Sequence, residues 1–285
     1  MQSLNFDIDA LHKVQYDLLV EFDRVCRKHQ LTYFLGFGSM LGAVRHNGFI
    51  PWDDDIDILM MYKDYLKLQS INVAEWKNGV FLQTPETDIE YNKSYLKLRT
   101  SNTTLIVNDV TDKDINHGVA IDIEPLIGLA DDKNERKKQY FNTKIYMLLR
   151  CNEPPMNHGR IMYWGGKIIL GIIPEKYKAK LREKYLKKIT AYDTENTEYL
   201  YVVNGNIEMM KDLHKRSVFS SAVMQRFERA QFPIPVGYDE WLTTRYGDYM
   251  CLPPEDQQGV KLGQYIVIDL QRPYSVYKGM KYCCK

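Results

Sequence analysis

The sequence predicts a mixed α+β fold, a sheet flanked by helices in the first half and mainly helical chain in the second. Three observations predict it. An amphipathic helix opens the chain, with Leu11, Val14, Leu18, Phe22 and Val25 at three- and four-residue steps between about Ala10 and His29. Short apolar runs punctuated by glycine and proline follow, with the spacing of strands rather than helices. After Asp131 the pattern turns to longer helical stretches.

In order, Thr32–Leu35 reads as a strand running into Gly36-Phe37-Gly38-Ser39, and Met40–Val44 as one or two helical turns. About Asp55–Met60 alternates charge with apolar residues, which is strand periodicity, and a helix follows near Lys63–Asn72. Val80–Gln83 and Ser94–Arg99 read as strands, and Thr103–Val107 is expected to pair with the second as a hairpin. Gly118–Glu124 is an apolar strand stopped by Pro125. Asp132–Arg150 reads as a helix broken by Pro154-Pro155. Ile161–Ile173 is mostly apolar and ends at Pro174, and Lys176–Lys188 carries seven Lys/Arg against one Glu. The remainder reads as short helices and loops around Phe232-Pro233-Ile234-Pro235 and Tyr246-Gly247-Asp248-Tyr249. Two subdomains are expected, 1–130 as the catalytic core and 131–285 as a mainly helical region closing the substrate cleft.

Composition narrows the function classes. The balance of 38 Lys+Arg against 37 Asp+Glu leaves a net charge of +1, so no global field favours nucleic acid and any electrostatic preference must be local. The start MQSLNFDIDALHK has neither the basic end nor the apolar stretch of a secretory signal. No run reaches the roughly 18–20 apolar residues needed to span a bilayer. Five cysteines without metal-ligand spacing fit a reducing cytoplasm, with Cys283-Cys284 read as an exposed, frayed end.

The chemistry concentrates at Asp53-Asp54-Asp55-Ile56-Asp57. Residues two apart on a strand share a face, roughly 6–7 Å apart along the chain, so Asp55 and Asp57 project together while Ile56 and Ile58 face the core. Two carboxylates that close need a compensating cation, or one must take up a proton. Ligands that are all oxygen suit Mg²⁺ or Mn²⁺, and a pair of ions about 3.5–4 Å apart is a common device for displacement at phosphorus. Asp55 and Asp57 are therefore the expected ligands, Asp53 an outer group, and Asp54 has the opposite parity. Upstream, Gly38-Ser39 ends a strand and opens a helical turn, where backbone N–H groups hold phosphate. Downstream, Asp122 lies in an apolar strand between Ile121 and Ile123 and requires a partner, for which a lysine is one candidate.

This order of Gly-Ser, Asp-x-Asp and a later strand aspartate resembles the nucleotidyltransferase superfamily. The long block Gly38–Ile58 (GSMLGAVRHNGFIPWDDDIDI), with Gly118–Leu126 and the segment from Pro233 through Tyr246-Gly247-Asp248-Tyr249 to Pro254, resembles the LicD family more closely, over about residues 10–260. That family includes phosphocholine transferases of bacterial surface glycans and fukutin-type enzymes. The resemblance implies metal-dependent transfer of a phospho-alcohol from a CDP-linked donor to a hydroxyl of a cell-surface glycan or its lipid-linked precursor, releasing CMP. It implies Asp55, Asp57 and Asp122 as catalytic and metal-binding residues for Mg²⁺ or Mn²⁺, with two ions, and Asp122 either completes the metal site or accepts the proton of the attacking hydroxyl. Gly38 and Ser39 would hold phosphate, and Arg45, Lys97 and Arg99 could reach the donor. One departure from the family pattern is the run 255–262, EDQQGVKL, where an Arg and a His are expected and neither occurs, which leaves the identity of the alcohol open.

Two rival functions use the same residues: a nucleotidylyltransferase that moves the nucleoside monophosphate, and a non-catalytic nucleotide-binding protein. The expected location is the cytoplasm. The apolar and basic stretch Ile161–Lys188 offers a peripheral contact with the inner face of the plasma membrane, but a buried core helix followed by a solvated basic helix is the favoured reading.

Overall fold

The computed structural model describes residues 7–151, 160–204, 210, 213–260 and 262–284; Pro154-Pro155 lies outside them. The chain divides by contacts into two units. The first comprises residues 1–91, 95–124 and 218–285, the second 92–94 and 125–217. Residues 218–285 thus fold with the amino-terminal region, which differs from a single division at residue 130.

In the first unit, α1 (Ile8–Lys28) starts where the Asp7 side chain accepts a hydrogen bond from the Ala10 N–H at 3.1 Å. It buries Leu11, Leu18, Leu19, Phe22 and Val25. The main sheet runs β1 (Phe34–Leu35), β2 (Asp57–Met61), β6 (Val119–Leu129), β4 (Leu96–Thr100) and β3 (Val80–Gln83), in that spatial order. β1 is antiparallel to β2, with Leu35 opposite Ile58. β4 is antiparallel to both β3 and β6, with Lys97 opposite Asp122. Helix α2 (Phe37–His46) links β1 towards β2, and α3 (Tyr62–Gln69) follows β2 directly.

Two pairings depart from the sequence expectation. β5 (Thr104–Val107) does not form a hairpin with β4, because both edges of β4 are taken by β3 and β6; it pairs instead with β11 (Tyr265–Asp269). The region around Phe232 is not a loop but an antiparallel hairpin of β9 (Ala222–Phe227) and β10 (Ala230–Pro235). Pro233 and Pro235 are tolerated because this two-stranded ribbon leaves each strand one unpaired edge. The hairpin turn is fastened to the segment after α2. The Glu228 N–H donates to the Asn47 carbonyl at 2.8 Å, and Glu228 Oε1 accepts from the Phe49 N–H at 3.2 Å. Helix α7 (Tyr238–Tyr246) follows, with Trp241 and Leu242 fully buried.

The end of the chain is anchored rather than frayed. Tyr282 is buried with Ile106 and Val267, and the Cys283 N–H donates to the Thr111 carbonyl at 2.7 Å. Cys284 is exposed.

In the second unit, residues 126–129 of β6 pair with β7 (Tyr199–Val202), which pairs with β8 (His214–Lys215). Its helices are α4 (Lys133–Cys151), α5 (Arg160–Ile172) and α6 (Glu175–Ile189). Gln139 ties α4 to β6 and α6: its amide donates to the Gly128 and Ile189 carbonyls at 2.9 and 2.8 Å and accepts from the Ala130 N–H at 2.9 Å. A buried amide with every bond made is a specifying contact. Among the described residues no helix is long and apolar enough to cross a membrane.

Candidate active site

The acidic segment sits between α1, the start of α2 and the sheet, and each neighbour holds part of it. His12 and Gln15, one turn apart on α1, bond to its backbone. The His12 Nε2–H donates to the Asp53 carbonyl at 2.7 Å, and the Gln15 amide donates to the Asp54 carbonyl at 2.8 Å. His12 is itself stacked on Phe49, with ring centroids 3.9 Å apart. The Asp54 carboxylate is bonded by β11 and its approach: the Tyr265 hydroxyl and the Gln264 amide, the latter at 2.9 Å, both donate to Asp54 Oδ2.

The start of α2 closes on the same segment. The Gly36 N–H donates to the Asp57 carbonyl at 2.8 Å, and the Asp57 N–H donates to Ser39 Oγ at 2.9 Å. Ser39 is buried and accepts from β2, which leaves its hydroxyl hydrogen as a donor. A Cβ on Gly38 would lie 2.2 Å from Asp53 Oδ2, so no other residue fits there without displacing that carboxylate. An anionic side chain at this place meets the positive end of the helix. Phe37 takes up a left-handed φ of +39°, a conformation that costs a non-glycine residue energy and marks the turn as over-determined by its surroundings.

The strand begins at Asp57, two residues later than its alternation suggests, so Asp55 precedes β2. Among the described residues, the group whose ligand atoms all lie within 4.8 Å of one another is Asp53, Asp54 and Asp55. Asp55, Asp57 and Asp122 do not form such a group. Asp122 is nevertheless adjacent in the sheet, its N–H donating to the Ile56 carbonyl at 2.8 Å. Its carboxylate receives Lys97 Nζ on both oxygens, at 2.5 and 2.8 Å. The partner that a strand aspartate requires is therefore Lys97. Asp53 thus moves from an outer position into the acidic group, and Asp54 has a defined place in it.

Asp55 and Asp57 are pushed towards the neutral state. Asp55 keeps solvent-accessible surface, but burial among protein atoms, then Asp53, Asp122 and Asp54, raise its pKa to about 8 against the pull of Lys97. Burial, then Asp55, Glu124, Asp122 and Asp53, hold Asp57 well above the ordinary carboxylate range. Lys97 is the one cation among these named causes for Asp55, and it is already committed to Asp122. A site of this kind needs a bound cation or protons to neutralise it. The donor set of carboxylate oxygens fits Mg²⁺ or Mn²⁺ and not a soft metal.

The remaining expected residues are placed as follows. Arg45 Nη1 donates to the Tyr249 and Cys251 carbonyls at 2.7 and 3.3 Å, and its Nε donates to His46 at 3.0 Å, so the arginine ties the Tyr246–Cys251 segment to α2. Arg99 is buried, with Nε on Gln83 Oε1 and Nη1 on the Gly118 carbonyl, both at 2.6 Å. β4 is an interior strand, so Lys97 and Arg99 are not exposed edge residues.

Three residues of the site were not singled out in the sequence. Glu124 is buried and lies two residues after Asp122 on β6, so the same parity that pairs Asp55 with Asp57 brings it to the acidic face. Tyr95 and Tyr246 feel the same acids. Burial first, then Asp122 among others, raises the Tyr95 phenol, and burial raises Tyr246 to about 12 with Asp57 and Asp53 contributing. For Glu124 the signal was present in GVAIDIEPL; for the tyrosines only the packing shows it.

The chain is similar to known proteins over the residues of this site. Residues 30–142 match the family described as "LicD/FKTN/FKRP, nucleotidyltransferase domain". The chain is 28% identical over 254 residues to "Lipopolysaccharide cholinephosphotransferase LicD" of Haemophilus influenzae, covering 85% of this chain and 91% of that one. Uncharacterized proteins of Rickettsia prowazekii and Rickettsia typhi are 43% and 41% identical over 56 residues, 20% of this chain and 21% and 18% of theirs. The matched span contains α2, the acidic segment, β4 and β6, and with them every carboxylate of the site, so it is over the site itself that this chain is similar to the LicD family.

Proposed function

We propose that this protein is a phosphotransferase that moves phosphocholine, or a related phospho-alcohol, from a CDP-linked donor onto a hydroxyl of lipopolysaccharide or a similar surface glycan. The observation that carries this reading is the cluster of Asp53, Asp54 and Asp55 carboxylates beside Asp57, set against the start of α2 within the span that matches the LicD family. The similarity to a lipopolysaccharide cholinephosphotransferase over most of both chains supports the choice of group and acceptor.

In this reading Mg²⁺ or Mn²⁺, as a pair of ions, supplies charge neutralisation at the diphosphate and at the leaving CMP. Asp55, Asp57 and Asp53 hold the metal, with Asp54 fixed by Tyr265 and Gln264 at its side. The acceptor oxygen forms a bond to the phosphorus bearing the alcohol, the bond from that phosphorus to the CMP oxygen breaks, and the hydroxyl proton passes to a carboxylate, in this reading Asp122. Lys97 orients the Asp122 carboxylate and offers its charge to the donor phosphate. Gly38 and the Ser39 hydroxyl hydrogen contact phosphate at the α2 start. Arg45 and Arg99 serve by holding the Tyr249–Cys251 segment and the Gly118 turn. A CDP-activated donor places the reaction in the cytoplasm.

The test is to incubate the protein with Mg²⁺, a panel of CDP-alcohols and lipopolysaccharide acceptors, and to measure CMP. Metal-dependent CMP release with one alcohol preferred is expected. Release of inorganic diphosphate from nucleoside triphosphates instead would assign nucleotidyl transfer, and silence across the panel would overturn the phospho-alcohol reading.

A further inference from the structure

Helix α5 is apolar on two opposite sides. One side is internal, with Leu170 and Gly166 buried. On the other, Trp164, Ile168 and Ile172 are 58%, 58% and 74% exposed. Their spacing of four residues sets them in one stripe about 12 Å long. Three large apolar side chains aligned on a surface helix form a patch, unlike the scattered single residues of an ordinary surface.

The chain then turns at Ile173-Pro174 and enters α6, whose exposed side is basic. Lys176, Lys180, Lys184 and Lys187 are all exposed and recur at steps of four, four and three, so they form a second stripe. Lys188 is exposed beside it, and Tyr177 is 60% exposed at its start. The acids of α6 do not cancel it. Glu175 is paired with Lys178 and Arg182, and Glu183 with Lys187 alone. Ile172 and Lys176 are four residues apart, so the apolar and basic stripes meet within about 15 Å of chain.

We propose that this pair of stripes seats the protein on an anionic lipid surface, with Trp164, Ile168 and Ile172 at the boundary of headgroups and acyl chains and the α6 lysines on the phosphates. The charge selects the occupant. A second copy of the chain would set lysines against lysines, whereas an anionic bilayer offers negative charge and an apolar layer together. A tryptophan is also the side chain best suited to that boundary. Since α5 spans 13 residues, it lies on the surface rather than crossing it. The inference does not rest on the transferase reading.

The test is co-sedimentation of the full chain with phosphatidylcholine vesicles, with and without phosphatidylglycerol, together with tryptophan emission. Binding to the phosphatidylglycerol vesicles with a blue shift, weakened by salt, is expected. The triple variant W164A/I168A/I172A and, separately, K176E/K180E/K184E/K187E are each expected to weaken binding by more than about tenfold. Unchanged circular dichroism in both variants excludes unfolding as the cause, and the single variant I168S, expected to bind more weakly than the parent, repeats the test if the triple variant fails to fold. Equal binding to neutral vesicles, no binding at all, or binding untouched by the substitutions overturns the proposal. So does a concentration-dependent dimer that the apolar substitutions abolish, which would assign the face to self-association.

Discussion

The Tyr265 hydroxyl donates a hydrogen bond to the carboxylate of Asp54, 211 residues earlier in the chain. This bond joins β11 to the acidic segment, and it explains why a residue of the wrong strand parity sits in that segment. Asp54 has the opposite strand parity to Asp55 and Asp57, and Tyr265 and Gln264 hold its carboxylate. Tyr265→Phe removes the donor and leaves a half-buried carboxylate short of a partner, and is expected to cost about 1–3 kcal/mol. Urea unfolding measures this. A double-mutant cycle with Asp54→Asn should return a coupling energy above about 0.5 kcal/mol, and additive effects would show that the two residues act independently.

Gly38→Ala is expected to be far more damaging than an alanine in a helix usually is. Its Cβ would meet Asp53 Oδ2 at 2.2 Å, so either the carboxylate or the start of α2 must move. A loss of about 1–3 kcal/mol in stability accompanies such overpacking. Metal affinity should fall with it, since Asp53 is displaced. Unchanged stability and unchanged Mn²⁺ binding in this variant would show that Asp53 does not rest where its contact with Gly38 places it.

The ion pair between Lys97 and Asp122 predicts an asymmetry. Lys97→Met leaves the half-buried Asp122 carboxylate without its Lys97 partner and removes the pull that lowers Asp55, so Asp55 shifts further towards the protonated state. Lys97→Met with Asp122→Asn should recover part of the stability that Lys97→Met alone loses, because no unpaired charge remains. Thermal melts of the two singles and the double measure this, and a double variant less stable than either single would contradict it.

Acid sensitivity has an identifiable contributor in His117. Burial beside Tyr274 and Tyr282 lowers its pKa to about 4, although the Lys113 carbonyl accepting from Nε2–H opposes the shift. The folded state therefore keeps the neutral ring while the unfolded chain takes up a proton below about 6.5. The stabilisation is complete above pH 6.5, declines as pH falls through that range, and is gone below about 4. Its size is on the order of 2 kcal/mol after allowance for solvent screening. His117→Phe should flatten the decline between pH 7 and 4.5 by that amount in urea titrations, and parallel pH profiles for parent and variant would refute the assignment.

The local features of the site were legible because they follow from short-range rules. Alternation around Ile56 and Ile58 located the acidic strand, and the glycine-serine sequence located the helix start that closes on it. The partner of Asp122 was legible as a type, a lysine, but not as Lys97, since that depends on the register that sets residues 97 and 122 opposite each other. Long-range pairing was the part that remained hidden. β5 alternates well enough to pair with any open edge, and only the occupation of both sides of β4 sends it to β11. The β9–β10 hairpin was obscured by Pro233 and Pro235, whose usual meaning is an interrupted strand. For the same reason the return of residues 218–285 to the first unit could not be read from composition.

We propose that the acids of residues 53–57 form a divalent-cation site. Isothermal titration of the full chain with Mn²⁺ or Mg²⁺ tests it most directly, without any assumption about substrate. Saturable binding is expected in the parent protein, weakened by more than about tenfold in Asp55→Asn and in Asp57→Asn, with the folded state of each variant verified by circular dichroism. Absence of binding in the parent, or equal binding in both folded variants, would contradict the account.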